Sequence, residues 1–342
     1  MDKKHLFIGL GFAALALFLT FRNVSIQDLA ASLQRIDYLY LLPAVVLNYL
    51  VFLLRAYRWK FLILSLKETT AARLMGPVCV GFMGNLLPAR AGEFIRAYLL
   101  AKKESLDFSA SFATIFVERI FDMLFLLGFI VWLLLFKSDL FEGIDGFGGY
   151  TMMEVLQKLG WISLVMSVGI VAFSYALIHW NEKMMNLINL FLRPLPERFR
   201  EKILRLIDSF ASGLHVLKDF KSVASVVLLS AALWAMITLS NYPIFLAYGW
   251  GDLPFSSLVV LMVTICAFIT VFPTPGFLGS FQIACVVAMH NIFHVAEAEA
   301  ASFGMVTWAV SFGFLIFIGT FYILREGLSI KQLTHVQEEM NA

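Results

Sequence analysis

Residues 85–96 read Asn85-Leu86-Leu87-Pro88-Ala89-Arg90-Ala91-Gly92-Glu93-Phe94-Ile95-Arg96, a proline and a glycine set between two apolar runs. The same frame returns 187 residues later, where Pro275, Gly279 and Phe281 repeat the spacing of Pro88, Gly92 and Phe94. Cys79 and Cys266 each stand nine residues before the proline, so the register extends backward as well. Proline removes a backbone donor and clashes with the preceding turn, and glycine tolerates conformations that other residues avoid. Each stretch is therefore a helix broken near its middle. Broken apolar helices at corresponding positions of two halves point to a transporter-like binding site.

The rest of the composition places these breaks in a membrane. Of the 342 residues, 60% are hydrophobic and 15% charged, and the mean hydropathy is +0.83. A water-soluble domain carries roughly 25% charged residues. No polar stretch is long enough for a separate catalytic domain, so the whole chain, 1–342, reads as one transmembrane domain. Cys79, Cys266 and Cys285 lie in apolar segments and read as small core residues, not as a disulfide framework. Lys3 and Lys4 precede an apolar run as in a signal peptide, yet the run ends in Phe21-Arg22-Asn23 without a small-residue cleavage site, so an uncleaved span is expected.

Full spans are expected at about 5–21, 38–54, 109–136, 160–180, 222–248 and 302–324, each near the ~20 residues that a bilayer core requires. The interrupted regions 74–101 and 257–290 are expected to return toward the side they came from. With the N-terminus in the cytoplasm, 19 Lys and Arg then fall inside, the Arg55–Arg73 group among them, and four (Arg22, Arg35, Lys137, Lys158) outside. Both termini are cytoplasmic in this scheme. Arms 74–87 and 93–101 would span roughly 21 and 13 Å, too short to cross. The second region has longer arms, and a complete crossing stays open there. The fold class is thus an all-α polytopic membrane protein. Its two halves, about 1–136 and 160–324, form an inverted repeat of three spans plus one re-entrant hairpin each. Residues 197–217 place Phe199, Ile203, Leu206, Phe210, Leu214 and Leu217 at helical steps among Arg198, Arg200, Lys202 and Arg205. That is an amphipathic helix, on the cytoplasmic leaflet or on the protein's own face.

Arg90, Glu93, Arg96, Glu118, Arg119 and Asp122 fall at membrane depth, where each unpaired charge costs at least about 2.5–3.5 kcal/mol. Glu93 and Arg96 share a helix face, as do Glu118 and Asp122, while Arg119 projects roughly 100° from Glu118. Three bases and three acids sum to zero, which suits a buried ion-pair network. It equally suits an anionic headgroup site, in which an arginine exchanges a carboxylate for a phosphate. The helices starting after Gly92 and Gly279 add positive N-terminal ends. The second break offers only Thr270, Thr274, Ser280 and Gln282, so the repeat is one of shape, not of chemistry. His290 and His294 lack the glutamate of a metalloprotease pattern, and no nucleotide fingerprint or nucleophile triad is present. No metal, cofactor or nucleic acid is expected.

The Asn85–Arg96 stretch, Glu118-Arg119-Ile120-Phe121-Asp122 and Pro273-Thr274-Pro275-Gly276-Phe277-Leu278-Gly279 together resemble a known family. It is the flippase-like transmembrane domain of lysylphosphatidylglycerol synthases, the multiple peptide resistance factors, with their stand-alone relatives. The resemblance covers nearly the whole chain. It implies a helical bundle with two re-entrant hairpins in a bacterial or archaeal cell membrane, and movement of phospholipid between leaflets. In the synthases a soluble C-terminal domain makes the aminoacylated lipid. This chain ends about 17 residues after its last span, so that activity is expected to be absent. Asn85, Pro88, Arg90, Gly92, Glu93, Arg96, Glu118, Arg119, Asp122, Pro275 and Gly279 match the family pattern. Phe277 stands where a second glycine is expected, and Gln282 where a glutamate is expected.

The leading expectation is a non-enzymatic translocase for an anionic, aminoacylated or polyprenyl-linked lipid. Asn85, Arg90, Glu93, Arg96, Glu118, Arg119 and Asp122 would form the headgroup site, and Pro88, Gly92, Pro275, Gly276, Gly279 and Gln282 the hairpin breaks. Membrane phospholipids are the expected partners, with a second copy of the chain or a lipid-synthesis enzyme beside them. The alternatives are a membrane enzyme acting on lipid phosphates or glycosyl carriers, with Glu93, Glu118 or Asp122 as acid or base, and a structural partner of a lipid-synthesis complex.

Overall fold

The computed structural model describes residues 11–86, 91–144, 149–192 and 196–328, with 12 and 19 excepted. Pro88, Arg90 and about half of the expected span 5–21 lie outside the described residues. Among the described residues, five helical stretches are long and apolar enough to cross a bilayer: Tyr38–Ile63, Phe108–Phe136, Met152–His179, Phe220–Ala247 and Glu297–Arg325. The chain is an all-α polytopic membrane protein. Lipid contact shows on the surface as well. Trp161, Ile162, Val165 and Val168 stand more than half exposed on one such stretch, an apolar face that water would not tolerate.

After a short helix α1 (Ile26–Gln34), the first described span is α2 (Leu41–Ile63). It runs nine residues beyond the expected end at residue 54, because Trp59, Leu62 and Ile63 are fully or almost fully buried past the two arginines. Arg55 and Arg58 therefore lie within the helix and not in a segment beyond its end. Their removal leaves 17 basic residues against four in the charge asymmetry.

The first hairpin consists of α3 (Ala71–Gly84) and α4 (Gly92–Glu104), packed on each other. Three glycines set their separation. A Cβ on Gly92 would overlap the Gly81 carbonyl oxygen, one on Gly84 would lie 2.8 Å from Ile95 Cδ1, and one on Gly81 2.7 Å from Arg96 Cβ. Ser105, left-handed at φ 55°, ends α4. At that end Glu104 binds Arg73 Nε at 2.8 Å and Thr69 Oγ1 at 3.1 Å. Burial raises the Glu104 pKa, but these donors and Lys67 outweigh it and hold the carboxyl below its ordinary value. Lys103 pairs with Glu326 across the hairpin's flank.

Next come α5 (Phe108–Phe136), α6 (Met152–His179), which starts eight residues before its expected bound, and α7 (Asn181–Leu192). A capping box of Thr151 and Glu154 opens α6. The amphipathic segment is α8 (Glu197–Gly213), and it packs on α5. Phe210 meets Phe116 at 5.5 Å, Ser209 Oγ donates to Asp107 at 3.0 Å, and Gly213 abuts the Ala110 carbonyl. Ile207 packs on the core beside Phe210, while Phe199 and Leu206 stay exposed. The helix thus docks on the protein by its C-terminal part and offers Phe199 and Leu206 outward.

The span α9 (Phe220–Leu239) bends into α10 (Tyr242–Ala247), and the second hairpin follows as α11 (Phe255–Val271) and α12 (Ser280–Val286). Here α11 packs on both α12 and the π-turn Val287–Ile292 beyond it, so this region folds back on itself. Its break holds Gly276 at φ 62° and Gly279 at φ 85°. Phe277 also sits left-handed, at φ 57°, where an L side chain costs roughly 1–2 kcal/mol. The backbone thus takes a glycine's conformation at the position where the resemblance implies one, and the ring offsets the cost by packing 5.3 Å from Phe312. Gln282 Oε1 accepts the Gly279 N–H at 2.7 Å, a capping role that needs an oxygen and not a charge. Closing the chain, α13 (Glu297–Trp308) passes through a π-turn into α14 (Phe314–Arg325).

The two halves interlock reciprocally. The first arm of the first hairpin, α3, packs on α14, the last helix of the second half; the first arm of the second, α11, packs on α5, the last of the first half. The spans α2 and α9 pack together beside them. At the centre the breaks touch: Gly276 N–H donates to Leu86 O at 2.8 Å, and Trp308 Nε1 donates to Gly276 O at 2.8 Å.

Because Gly92 lies against backbone, Gly92→Ala is expected to destabilise the protein by about 3 kcal/mol, the upper range for overpacking. Gly169→Ala, which meets nothing within 4 Å, should melt within about 0.5 kcal/mol of wild type. Thermal unfolding of both variants in the same detergent checks the contrast.

Candidate functional site

A helix rises about 1.5 Å per residue, so Glu118 and Asp122 lie roughly 15 and 21 Å along α5 and Arg55 and Arg58 roughly 21 and 25 Å along α2. Glu118, Asp122 and Arg55 are thus well inside their helices, and Arg58 stands five residues before the end of α2. Glu118 is fully buried and is the hub of the site. It accepts a two-pronged pair from Arg96, at 2.9 and 2.6 Å, and a further bond from Arg119 at 2.7 Å. Arg58 Nη2 completes the set at 3.2 Å. One carboxylate thus ties three arginines from α2, α4 and α5.

Asp122, one turn further on, takes Arg58 Nη1 at 2.7 Å, Arg119 Nη2 at 3.1 Å and the Trp234 indole N–H at 3.3 Å. Arg58 also donates to Ser230 Oγ at 3.0 Å, which brings α9 into the network. The Arg96 guanidinium lies 3.8 Å over Trp59, whose own N–H donates to Thr114 at 2.9 Å. Such stacking plus the fork onto Glu118 leaves Arg96 one orientation. Glu93 sits at the open edge, its oxygen 3.6 Å from Arg119 Nε, with both side chains about one-third exposed. The Nε atoms of Arg58, Arg96 and Arg119 are buried without a hydrogen-bond partner.

The structure therefore gathers Glu93, Arg96, Glu118, Arg119 and Asp122 in one cluster. Arg119 does not project away: its long side chain curls back onto both carboxylates of its own helix. Asn85 stands apart from the ion pairs, its buried Oδ1 unpartnered beside Gly92. Arg58, and Arg55 one turn before it, are the residues that sequence reasoning missed. The signal was their i, i+3 spacing followed by Trp59, Phe61, Leu62 and Ile63, which continues the apolar run past both charges. With them the zero sum disappears. Arg55, Arg58, Arg96 and Arg119 face Glu93, Glu118 and Asp122, a surplus of one positive charge among the described residues.

Beside the cluster runs an apolar groove of about 770 Å³ between α5, α9 and α11. Phe121, Gly128, Trp132, Ala231, Ala235 and Phe255 line it. Phe121 adjoins Asp122, and Trp234, which binds Asp122, lies in sequence between Ala231 and Ala235. From Phe121 at the cluster's depth, the lining reaches toward the end of the bundle where α5 ends and α11 begins. His290 and His294 are elsewhere, and His290 Nδ1 is 2.7 Å from the Val295 carbonyl. Among the described residues no group of His, Cys, Asp and Glu is arranged to hold a metal.

Comparison with known proteins gives matches along nearly the whole chain. A family model described as the lysylphosphatidylglycerol synthase TM region matches residues 6–319. The chain is 25% identical to Glycosyltransferase AglD of Haloferax volcanii over 96% of its own length, and spans 55% of that protein. It is 23% identical to the UPF0104 membrane protein PH1989 of Pyrococcus horikoshii, covering 94% of this chain and 97% of that one. The UPF0104 membrane protein MJ1078 of Methanocaldococcus jannaschii is 28% identical over 48% of this chain and 61% of its own. No solved structure matches.

Removing one member of a buried ion pair costs about 3–5 kcal/mol, mostly from the charge left behind. Arg58→Ala should therefore destabilise strongly, and Arg58→Ala with Asp122→Ala should be more stable than the two single losses added. A double-mutant cycle read by thermal unfolding measures this; strict additivity would show that the pair is not coupled.

Proposed function

Because the chain belongs to the lysylphosphatidylglycerol synthase transmembrane family, we propose that it is a lipid translocase, a flippase or scramblase. Its cargo is an anionic, aminoacylated or polyprenyl-linked lipid, moved between leaflets without a covalent step. The observation that carries this reading is the pairing, at one depth, of a charged cluster of net positive sign with an apolar groove. That pairing is the negative image of an amphiphile. A phosphate entering the hydrocarbon loses its water, and arginines held by buried carboxylates replace that water with preorganised donors. The acyl or prenyl chain meanwhile stays in the groove or in the surrounding lipid.

The two hairpins in this reading enter from opposite faces, with the halves inverted and both termini in the cytoplasm, as the excess of 17 basic residues over four supports. The name of the Haloferax relative favours a second reading, an enzyme acting on glycosyl carriers. Against it, Glu118 and Asp122 are each occupied by arginines, which leaves neither poised as a base.

In proteoliposomes the wild-type protein should accelerate the exchange of a fluorescent phospholipid between leaflets, and Glu118→Gln should abolish it. Gly128 lines the groove and has open space around its Cα. Gly128→Trp should therefore fold normally and slow long-chain lipid about tenfold, equal to roughly 1.4 kcal/mol in barrier. Exchange no faster than in protein-free vesicles, for phosphatidylglycerol and polyprenyl-phosphate lipids alike, would sink the reading.

The topology has its own check. In a background lacking Cys79, Cys266 and Cys285, a cysteine at Lys102 should react only from the cytoplasmic side and one at Asn291 only from outside. Labelling of both from one face rules out opposed hairpins.

A further inference from the structure

Among the described residues, Arg55 differs from every other arginine of the cluster. Three carboxylates, Glu93, Glu118 and Asp122, are shared among Arg58, Arg96 and Arg119. Arg55 has no carboxylate within 4.0 Å among the described residues, and none of its five N–H donors is hydrogen-bonded. Only the face of its guanidinium is engaged, 4.3 Å over the ring of Phe82. Arg96 lies 5.6 Å from the same ring. Phe82 thus borders both a locked arginine and a free one.

The position of Arg55 is as telling as its lack of partners. It stands on α2 against the first hairpin, whose Phe82 it covers. It is partly exposed there, whereas Arg58 and Arg96 are buried. An arginine stacked by its face keeps the edge of its fork presented, and that edge matches two oxygens of a phosphate. Among the described residues, the surplus positive charge of the cluster is this residue.

We propose that Arg55 is the anion-recognising group of the site, binding a phosphate through its free fork while Arg58, Arg96 and Arg119 hold the carboxylate scaffold around it. The assignment rests on the translocase reading for the source of the phosphate, a lipid headgroup; free inorganic phosphate shares the chemistry. It moves recognition away from Arg96, whose fork is already filled by Glu118.

The test uses the full purified chain and titrates phosphatidylglycerol, diacylglycerol and inorganic phosphate into wild type, Arg55→Gln and Arg55→Lys, with melting temperatures measured in parallel. The expected result is that Arg55→Gln melts like wild type, binds diacylglycerol as well, and loses phosphatidylglycerol affinity tenfold or more. Arg55→Lys should recover only part of that loss, since lysine keeps the charge without the fork. If inorganic phosphate stabilises wild type and not Arg55→Gln while phosphatidylglycerol does neither, the anion site stands and the lipid reading falls. Equal phosphatidylglycerol affinity in Arg55→Gln overturns the assignment and leaves the lipid reading in place. A drop in stability as large as that of Arg58→Gln, or an equal loss of diacylglycerol binding, overturns it too, because Arg55 would then be structural.

Discussion

Glu118 is the constraint on which the rest of the interior depends. One carboxylate, fully buried, meets guanidinium groups from α2, α4 and α5. A buried charge is tolerated only when its lone pairs are filled, so the three helices are held in register by the need to fill them. The hairpin has to bring Arg96 to that point, and the Gly81, Gly84 and Gly92 contacts are what let α4 come close enough. Packing and electrostatics here are a single requirement. A bulkier hairpin would pull Arg96 off Glu118, and an unfilled Glu118 would leave the hairpin nothing polar to dock on.

How much of this was legible in sequence follows from which signals are local. Proline and glycine act on their own backbone, so the breaks around Gly92 and Pro275 are visible without knowledge of the fold. Glu93 with Arg96, and Glu118 with Asp122, could be placed on shared faces by helical arithmetic alone. Arg58 was hidden because a hydropathy profile treats charge as the end of a span, while here the charge is compensated by residues 60 and 64 positions away. Arg119 was misjudged for the opposite reason: its backbone direction is right, but a long flexible side chain reaches back across it. The role of Gln282 could not be read as chemistry either, since what the break uses is an oxygen facing a backbone N–H.

Phe277 shows how a glycine's backbone conformation and a bulky side chain can coexist. The backbone keeps the left-handed turn that a glycine would adopt without cost, and the substituted side chain is anchored by Phe312 and, through the same aromatic cluster, by Trp308. The turn is therefore specified twice, by its glycine neighbours Gly276 and Gly279 and by an aromatic wedge. Strain of this kind persists only where the surroundings over-determine it, and the second break is such a place.

The hydrogen bond from Gly276 to Leu86 makes the two hairpins mechanical dependents of each other. It is one bond between two turns that belong to different halves of the chain, and it has no side chain that could stretch to follow a displacement. A shift of either tip by more than a few tenths of an ångström either breaks it or drags the other tip along. A displacement of one hairpin tip is consequently felt at the other at once, through a coupling that is short, backbone-only and insensitive to the identity of the side chains around it.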